Sequence, residues 1–317
     1  MRELGVPVRR PDFFLVGAPK CGTTAMNAFL QEHPEIFIPE RKELHFFGSD
    51  LELRRGAMPV EEYLQHFRGV GDEIRVGESS VWYLYSASAA EEIQAFNPEA
   101  SIIVMLRHPV DMLYSLHSQM LYTGNEDIEC FEDALSAQHA RAAGRRIPKT
   151  ARNPKGLQYL AVARYAEQIK RYFDTFGRDR VHVILFDDFK RDAPGTYRAL
   201  CAFLGVCLDY RPDFRVINPN KRVRSRRILR LIKSPPPVIR TIARKLVPDC
   251  VRGNAIRGLQ RWNTSYEPRN PMNDAVRVEL NERLRPEILK LAALLDRDLS
   301  TWLEPAAEPR ARETHCA

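Results

Sequence analysis

The segment Phe13-Phe14-Leu15-Val16-Gly17-Ala18-Pro19-Lys20-Cys21-Gly22-Thr23-Thr24 constrains this chain more than any other. A short apolar run stops at a glycine, a lysine sits in the turn, and two threonines open a helix. That order builds an anion cradle: a strand delivers the turn, and Gly17 and Gly22 permit unusual backbone angles and close approach. The helix N-terminus then presents unpaired N–H groups. Lys20 adds a full positive charge, and Thr23 and Thr24 add hydroxyl donors. The bland alternative is an ordinary strand-to-helix turn with a surface lysine. A Walker A loop is excluded, because its lysine follows the second glycine, whereas Lys20 precedes Gly22. Cys21 lies inside the loop, where a helix N-terminus would lower its thiol pKa; its simpler role is that of a small residue fitting a tight turn.

At 317 residues, with 44% hydrophobic and 28% charged side chains, the chain has the makeup of a globular protein of one large α/β domain or two small ones. No apolar run approaches the roughly 20 residues of a membrane span. The opening MRELGVPVRRPDFF lacks the apolar core of a signal peptide, so a cytoplasmic protein without a transmembrane anchor is expected. The six cysteines show no C-x-x-C pair and no histidines at zinc spacing, so neither a metal site nor a disulfide framework is expected. The net charge of +7 suits an anionic ligand or acceptor without identifying one. Much of the excess lies between Lys221 and Arg230, as a solvated face or as a contact for a cofactor phosphate or acidic acceptor. No aromatic interleaving accompanies it, so nucleic acid is not an expected partner.

Periodicity places Met26, Phe29 and Leu30 on one helix face after the loop. Short strands are expected over Ile74–Gly77, Ser101–Leu106 and Val181–Phe186, and a helix over Val110–Leu121 with Pro109 near its start. Strands alternating with helices imply a central, mainly parallel sheet flanked by helices. The stretch from Arg141 to Gly156 reads as a mobile surface loop, Ser234-Pro235-Pro236-Pro237 as a rigid break, and Asn273–Trp302 as helical sequence packing back on the core. One domain over residues 11–304 with a disordered tail over 305–317 is the expected organisation.

Two further blocks carry chemistry. Arg107-His108-Pro109-Val110-Asp111-Met112-Leu113-Tyr114-Ser115 sets an arginine just past a buried strand, where open α/β sheets bind ligands. Ser115 follows two helical turns on, and an arginine fork with a hydroxyl suits a phosphate monoester. In Arg41-Lys42-Glu43-Leu44-His45-Phe46-Phe47-Gly48, Glu43 and His45 are two apart, so on an extended segment they face one way and Leu44 the other. Phe46 and Phe47 would supply an apolar wall that excludes water.

Together these blocks resemble the sulfotransferases that use 3′-phosphoadenosine 5′-phosphosulfate (PAPS), closest to the heparan-sulfate and carbohydrate type and related bacterial enzymes. P-K-x-G-T-T resembles their 5′-phosphosulfate loop, R-x-P-x-x-x-x-x-S their 3′-phosphate site, and K-E-x-H-F-F the element holding their catalytic glutamate. Gly77-Glu78-Ser79-Ser80-Val81-Trp82-Tyr83 is similar to their G-E-x-[ST]-P-x-Y segment, with Val81 in place of the proline and Ser79 where heparan-sulfate enzymes often carry a lysine. Tyr165–Phe176, Val181–Phe186 and Phe203-Leu204-Gly205 match the later half in order and spacing. The resemblance spans roughly Asp12 to Trp302.

What the resemblance implies is a single-domain α/β, P-loop-like sulfotransferase architecture. It would move a sulfuryl group from PAPS to an acceptor hydroxyl of a carbohydrate, glycolipid or small-molecule natural product, without a metal. Lys20, Cys21, Gly22, Thr23, Thr24, Arg107 and Ser115 would bind the nucleotide and its product, adenosine 3′,5′-bisphosphate (PAP). Lys221, Arg224 and Ser225 would join them from a nucleotide-covering loop over Asn218–Ser225. Lys20, Glu43 and His45 would act in catalysis, with Glu43 as the base and His45 the second choice. Acceptor choice would rest on loops such as Tyr122–Gly156. A P-loop-like kinase, with Asp187 after its strand imitating a Walker B aspartate, is the competing enzyme class, and a non-catalytic glycan- or nucleic-acid-binding protein the competing non-enzyme.

Overall fold

Strand β1 (Phe13–Gly17) is buried along its whole length, as the continuous apolar run requires of a central parallel strand. The computed structural model describes residues 9–51, 53, 58–214, 222–225, 228–229, 232, 249–266 and 269–304. In chain order, β1 is followed by α1 (Thr23–Glu32), β2 (Ile36–Phe37), α2 (Val60–Leu64), β3 (Arg75–Ser79), α3 (Ala89–Phe96), β4 (Ser101–Leu106) and α4 (Pro109–Thr123). Then come α5 (Phe131–Ser136), α6 (Gln138–Ala142), α7 (Tyr159–Val162), α8 (Tyr165–Phe176), β5 (Val181–Leu185), α9 (Phe186–Arg191) and α10 (Ala193–Leu204). A small ribbon pairs β6 (Arg222–Val223) antiparallel with β7 (Thr264–Ser265), which follows α11 (Asp249–Trp262), and α12 (Asp274–Leu295) comes last.

The main sheet is parallel, in the order β2-β3-β1-β4-β5, so the fold is a single α/β domain with a five-stranded parallel sheet flanked by helices. Phe13 stands in register with Gly77 on one side and Ser101 on the other. The ring of Phe13 lies over Gly77: a Cβ there would come within 2.1 Å of Phe13 Cζ, which explains the glycine in mid-strand. The strand expected at Ile74–Gly77 runs instead from Arg75 to Ser79, with Ile74 exposed. The expected strand Val181–Phe186 stops one residue early, because Phe186 opens α9.

Helix α1 buries Met26, Phe29 and Leu30, the face its spacing predicts. Helix α12 buries Leu280, Leu284, Ile288 and Leu291 and packs against α4 and α8. Beyond it, Trp302 is buried: its Nε1–H donates to Asp187 Oδ2 at 2.7 Å, and its carbonyl stands 3.0 Å from His108 Nε2. That contact staples the end of the fold beside Arg107.

The stretch 141–156 differs from the surface loop expected of it. Arg141 is buried and grips Glu126 with two bonds of 2.8 and 2.6 Å, Tyr159 donates to the same carboxylate at 2.8 Å, and Asn153 is buried. An arginine-rich composition suggests solvent, but here the counter-ion comes from fifteen residues upstream. Among the described residues no helix is long and apolar enough to cross a membrane. The proline run 234–237, Lys221 and the segment 305–317 lie outside the described residues.

Candidate active site

Lys20, Gly22, Thr23, Thr24, Glu43, His45, Arg107 and Ser115 converge in one cleft at the carboxyl ends of the parallel strands, where open α/β sheets place their ligands. The loop after β1, Val81 and Trp82 after β3, Arg107 after β4 and Phe186 after β5 line one cleft of about 770 Å³. Two glycines and a left-handed lysine shape the loop. Gly22 precedes α1 at φ 89°, and a Cβ there would meet the Phe186 ring at 2.9 Å. Lys20 sits at φ 65° and donates from Nζ to Gln119 Oε1 at 3.1 Å. Lys20, Gly22, Thr23 and Thr24 line the cleft.

Cys21 does not line it. The thiol is fully buried, donates to the Pro19 carbonyl at 3.4 Å and lies 3.9 Å from the Tyr165 hydroxyl. Burial pushes its pKa up to about 12, the reverse of the lowering expected from a helix N-terminus. Desolvation outweighs the Tyr165 hydrogen bond and the nearby Arg107 and Lys20 charges.

Glu43 and His45 both line the cleft, with Glu43 Oε2 3.8 Å from His45 Nε2, but the extended segment expected to bring them together is not formed. Glu43 has φ 63° and His45 φ 52°, so the backbone turns left-handed twice. The neighbouring β3 end supports this conformation. Glu43 N donates to the Ser79 carbonyl at 2.9 Å, and Val81 N donates to Glu43 Oε2 at 3.1 Å. A proline at position 81 would have no N–H to give, so the departure from the family pattern supplies a bond to the candidate base.

Lys42, to which its motif assigns no role, donates to Thr23 Oγ1 at 3.1 Å and stands 3.5 Å from Glu43 Oε1. It therefore couples the anion loop to the carboxylate. Burial raises the Glu43 pKa and Lys42 opposes that rise; burial also lowers the pKa of Lys42 itself. Phe46 and Phe47 do not line the cleft. Phe46 stacks on Tyr63 at 4.0 Å, and Phe47 packs edge-on against Phe14 and Tyr83, so the pair anchors the turn in the core.

At another part of the cleft, Arg107 lies over the Phe186 ring at 5.2 Å and 3.8 Å from Asp111, which also pairs with Arg277 at 3.0 Å. Ser115 is buried and accepts from Arg269 Nη2 at 3.1 Å. Arg269, absent from the sequence motifs, lines the same cleft. Burial, and then the Arg107 charge, pull its guanidinium below its usual pKa, and Arg107 and Arg269 line the same cleft. Sequence offers no signal for Arg269, which is 154 positions from its partner. Aromatic walls at Phe29, Phe189 and Phe214 continue the cleft.

Arg224 and Ser225 are not brought to this cleft. Their backbone N–H groups bond Asn263 at 2.8 Å each, and Arg224 lines an adjoining cavity of about 650 Å³ that shares Arg269. Asp187 does not line the cleft either, its carboxylate being taken by Trp302. Trp82, Asn125, Arg152 and Asn153 also line the cleft, and Asn125 Oδ1 accepts from Arg152 N at 2.9 Å.

Comparison with known proteins bears on this arrangement. Residues 10–224 match the family model of the sulfotransferase domain. The crystal structure of a sulfotransferase from Alicyclobacillus acidocaldarius superposes with a TM-score of 0.70 at 31% identity, covering 94% of this chain and 100% of that one. Carbohydrate sulfotransferase 15 of Mus musculus is 27% identical over 249 residues, 62% of this chain and 44% of its own length. The bifunctional heparan sulfate N-deacetylase/N-sulfotransferase 1 of Caenorhabditis briggsae is 22% identical over 211 residues, 62% of this chain and 23% of its own. The chain thus spans less than half the length of these curated relatives.

Proposed function

The chain belongs to the sulfotransferase domain family, and from that premise we propose that it transfers a sulfuryl group from PAPS to an acceptor hydroxyl, with Glu43 as general base. One observation supports this most: a single cleft holds a lysine-bearing anion loop, a separate pair of arginines beside a buried serine, and a carboxylate coupled to the loop through Lys42. PAPS has anionic groups at both its 5′ and its 3′ ends, and two cationic stations in one cleft fit both.

The donor supplies an activated sulfuryl group on its 5′-phosphate. Gly22, Thr23 and Thr24 with Lys20 would hold that end, and Arg107, Ser115 and Arg269 the 3′-phosphate. Phe29, Phe189 and Phe214 would enclose the base. During transfer the acceptor oxygen bonds to sulfur as the bond from sulfur to the phosphate oxygen breaks, leaving its electron pair on PAP. Glu43 takes the acceptor proton. Lys20 and the loop N–H groups offset the charge growing on the phosphate oxygen, and Lys42 is placed to do the same for the sulfuryl oxygens. His45 would orient the acceptor. Trp82 offers a stacking face, and Asn125 and Asn153 polar edges, a combination suited to a sugar, in keeping with relatives named for carbohydrate and heparan sulfate.

Calorimetric titration of PAP against ADP and ATP·Mg²⁺ tests the donor. PAP should bind more tightly than ADP by at least about tenfold without metal. Arg107→Ala and Arg269→Ala should each erase most of that preference while leaving ADP affinity nearly unchanged. Preference for ATP·Mg²⁺ would overturn the proposal in favour of a kinase.

A further inference from the structure

Beneath the turn that carries Glu43 and His45 lies a buried carboxylate that the proposed reaction does not use. Glu78, on β3, is 2% exposed and does not line the cleft. It accepts hydrogen bonds from Ser80 Oγ at 2.5 Å, Tyr83 OH at 3.0 Å and Tyr63 OH at 3.2 Å. Two of these hydroxyls are themselves acceptors. Ser80 Oγ takes the N–H of His45 at 3.2 Å, and Tyr83 OH takes those of Phe46 and Phe47 at 2.9 and 3.3 Å.

The direction of this relay follows from proton counting. A hydroxyl has one proton and two lone pairs. With the proton committed to Glu78, the lone pairs of Ser80 and Tyr83 face the three backbone N–H groups of the turn. The turn requires such support, because Glu43 and His45 both hold left-handed backbone angles that a Cβ disfavours. Glutamine would not serve equally: it offers one acceptor oxygen and sets an NH₂ against a hydroxyl that must also donate. The hydroxyl facing that NH₂ would lose the acceptor for its own proton, and at Tyr83 the amide would compete with the Phe46 and Phe47 N–H groups for two lone pairs.

We propose that Glu78 is a positioning residue for the transfer: through Ser80 and Tyr83 it holds the backbone of residues 45–47 so that Glu43 and His45 face the cleft. This role rests on the sulfuryl-transfer function proposed above. The nucleotide end of the cleft depends on the loop after β1 and on Arg107, Ser115 and Arg269, none of which bonds to Glu78. Disturbing the relay should therefore slow turnover without weakening nucleotide binding.

The test uses full-length Glu78→Gln and Ser80→Ala. For each, PAP affinity is measured by calorimetry, and PAPS turnover is measured with soluble glycans, alkyl glycosides and water as acceptors. Glu78→Gln should lower kcat by about 10- to 100-fold, and Ser80→Ala, a milder change, by about 10-fold. PAP affinity should stay within about twofold of wild type in both. Wild-type kcat in Ser80→Ala would overturn the role even where Glu78→Gln fails to fold, and PAP affinity falling in step with kcat would overturn it in favour of general scaffolding. A wild-type protein that binds no PAP and turns over no PAPS would instead remove the transfer function, and the role with it. A wild type that turns over PAPS alongside equally active variants would remove the role alone.

Discussion

Single residues at this site are governed by desolvation as much as by charge. Glu78 shows the sign of the effect: burial pushes its carboxyl up to about 7, although three hydroxyl donors pull the other way, from an ordinary value of 4.5. Its folded pKa exceeds its unfolded one, so the folded state holds the extra proton between those values, and the all-acceptor carboxylate that the relay uses is reached above about pH 7. The stability this group contributes is complete below pH 4.5 and is lost as pH rises through about 7. Denaturant unfolding of wild type and Glu78→Gln across pH 4.5 to 7.5 should show the wild type losing up to about 3 kcal/mol relative to the variant. Parallel curves would place the titration on another group. Glu43 shifts in the same direction by burial, with Lys42 opposing, so the ionised form that the proposed base role requires is reached at a higher pH than for an exposed glutamate.

At the scale of elements, one buried ion pair holds the stretch that carries Asn125, Arg152 and Asn153 to the cleft. Glu126 ties the end of the α4 turn to Arg141 on α6, and Asn125, Arg152 and Asn153 reach the cleft from the segments on either side of that tie. Removing one partner of such a pair leaves an uncompensated charge in the interior. Arg141→Ala should therefore cost about 3–5 kcal/mol in unfolding free energy. Hydrogen exchange should rise over 124–156 more than in β1 or β4, and an evenly distributed rise would reject a local clamp. How much could be read from sequence differs by element for physical reasons. The strands β1 and β4 declared themselves because a strand buried on both faces must be apolar throughout. Strand β2, two residues long, has no periodicity to detect. Residues 141–156 looked solvated because composition records charge but not the neighbour that neutralises it.

For the whole molecule, the two ends of the cleft come from distant parts of the chain, with Lys20 near the start and Arg269 near the end. A ligand that bridges them should stabilise the fold as a unit. PAP at about 100 times its dissociation constant should add about 2.7 kcal/mol and raise Tm by about 4 °C. Adenosine 5′-monophosphate at the same concentration should shift it far less, and equal shifts would argue against a distinct 3′-phosphate station. What the sequence determined by itself is chemistry encoded locally: the strand–glycine–lysine–helix loop and Arg107 with Ser115, each within a few residues or two helical turns. Short-range backbone geometry translates such spacing almost directly into position. Tertiary structure alone decided the rest. It closed the Arg107 site with Arg269, coupled Lys42 to Thr23, sent Phe46 and Phe47 into the core, and set a buried Glu78 relay under a left-handed turn. Those outcomes depend on which side chains packing brings together and removes from water, and linear spacing carries no record of either.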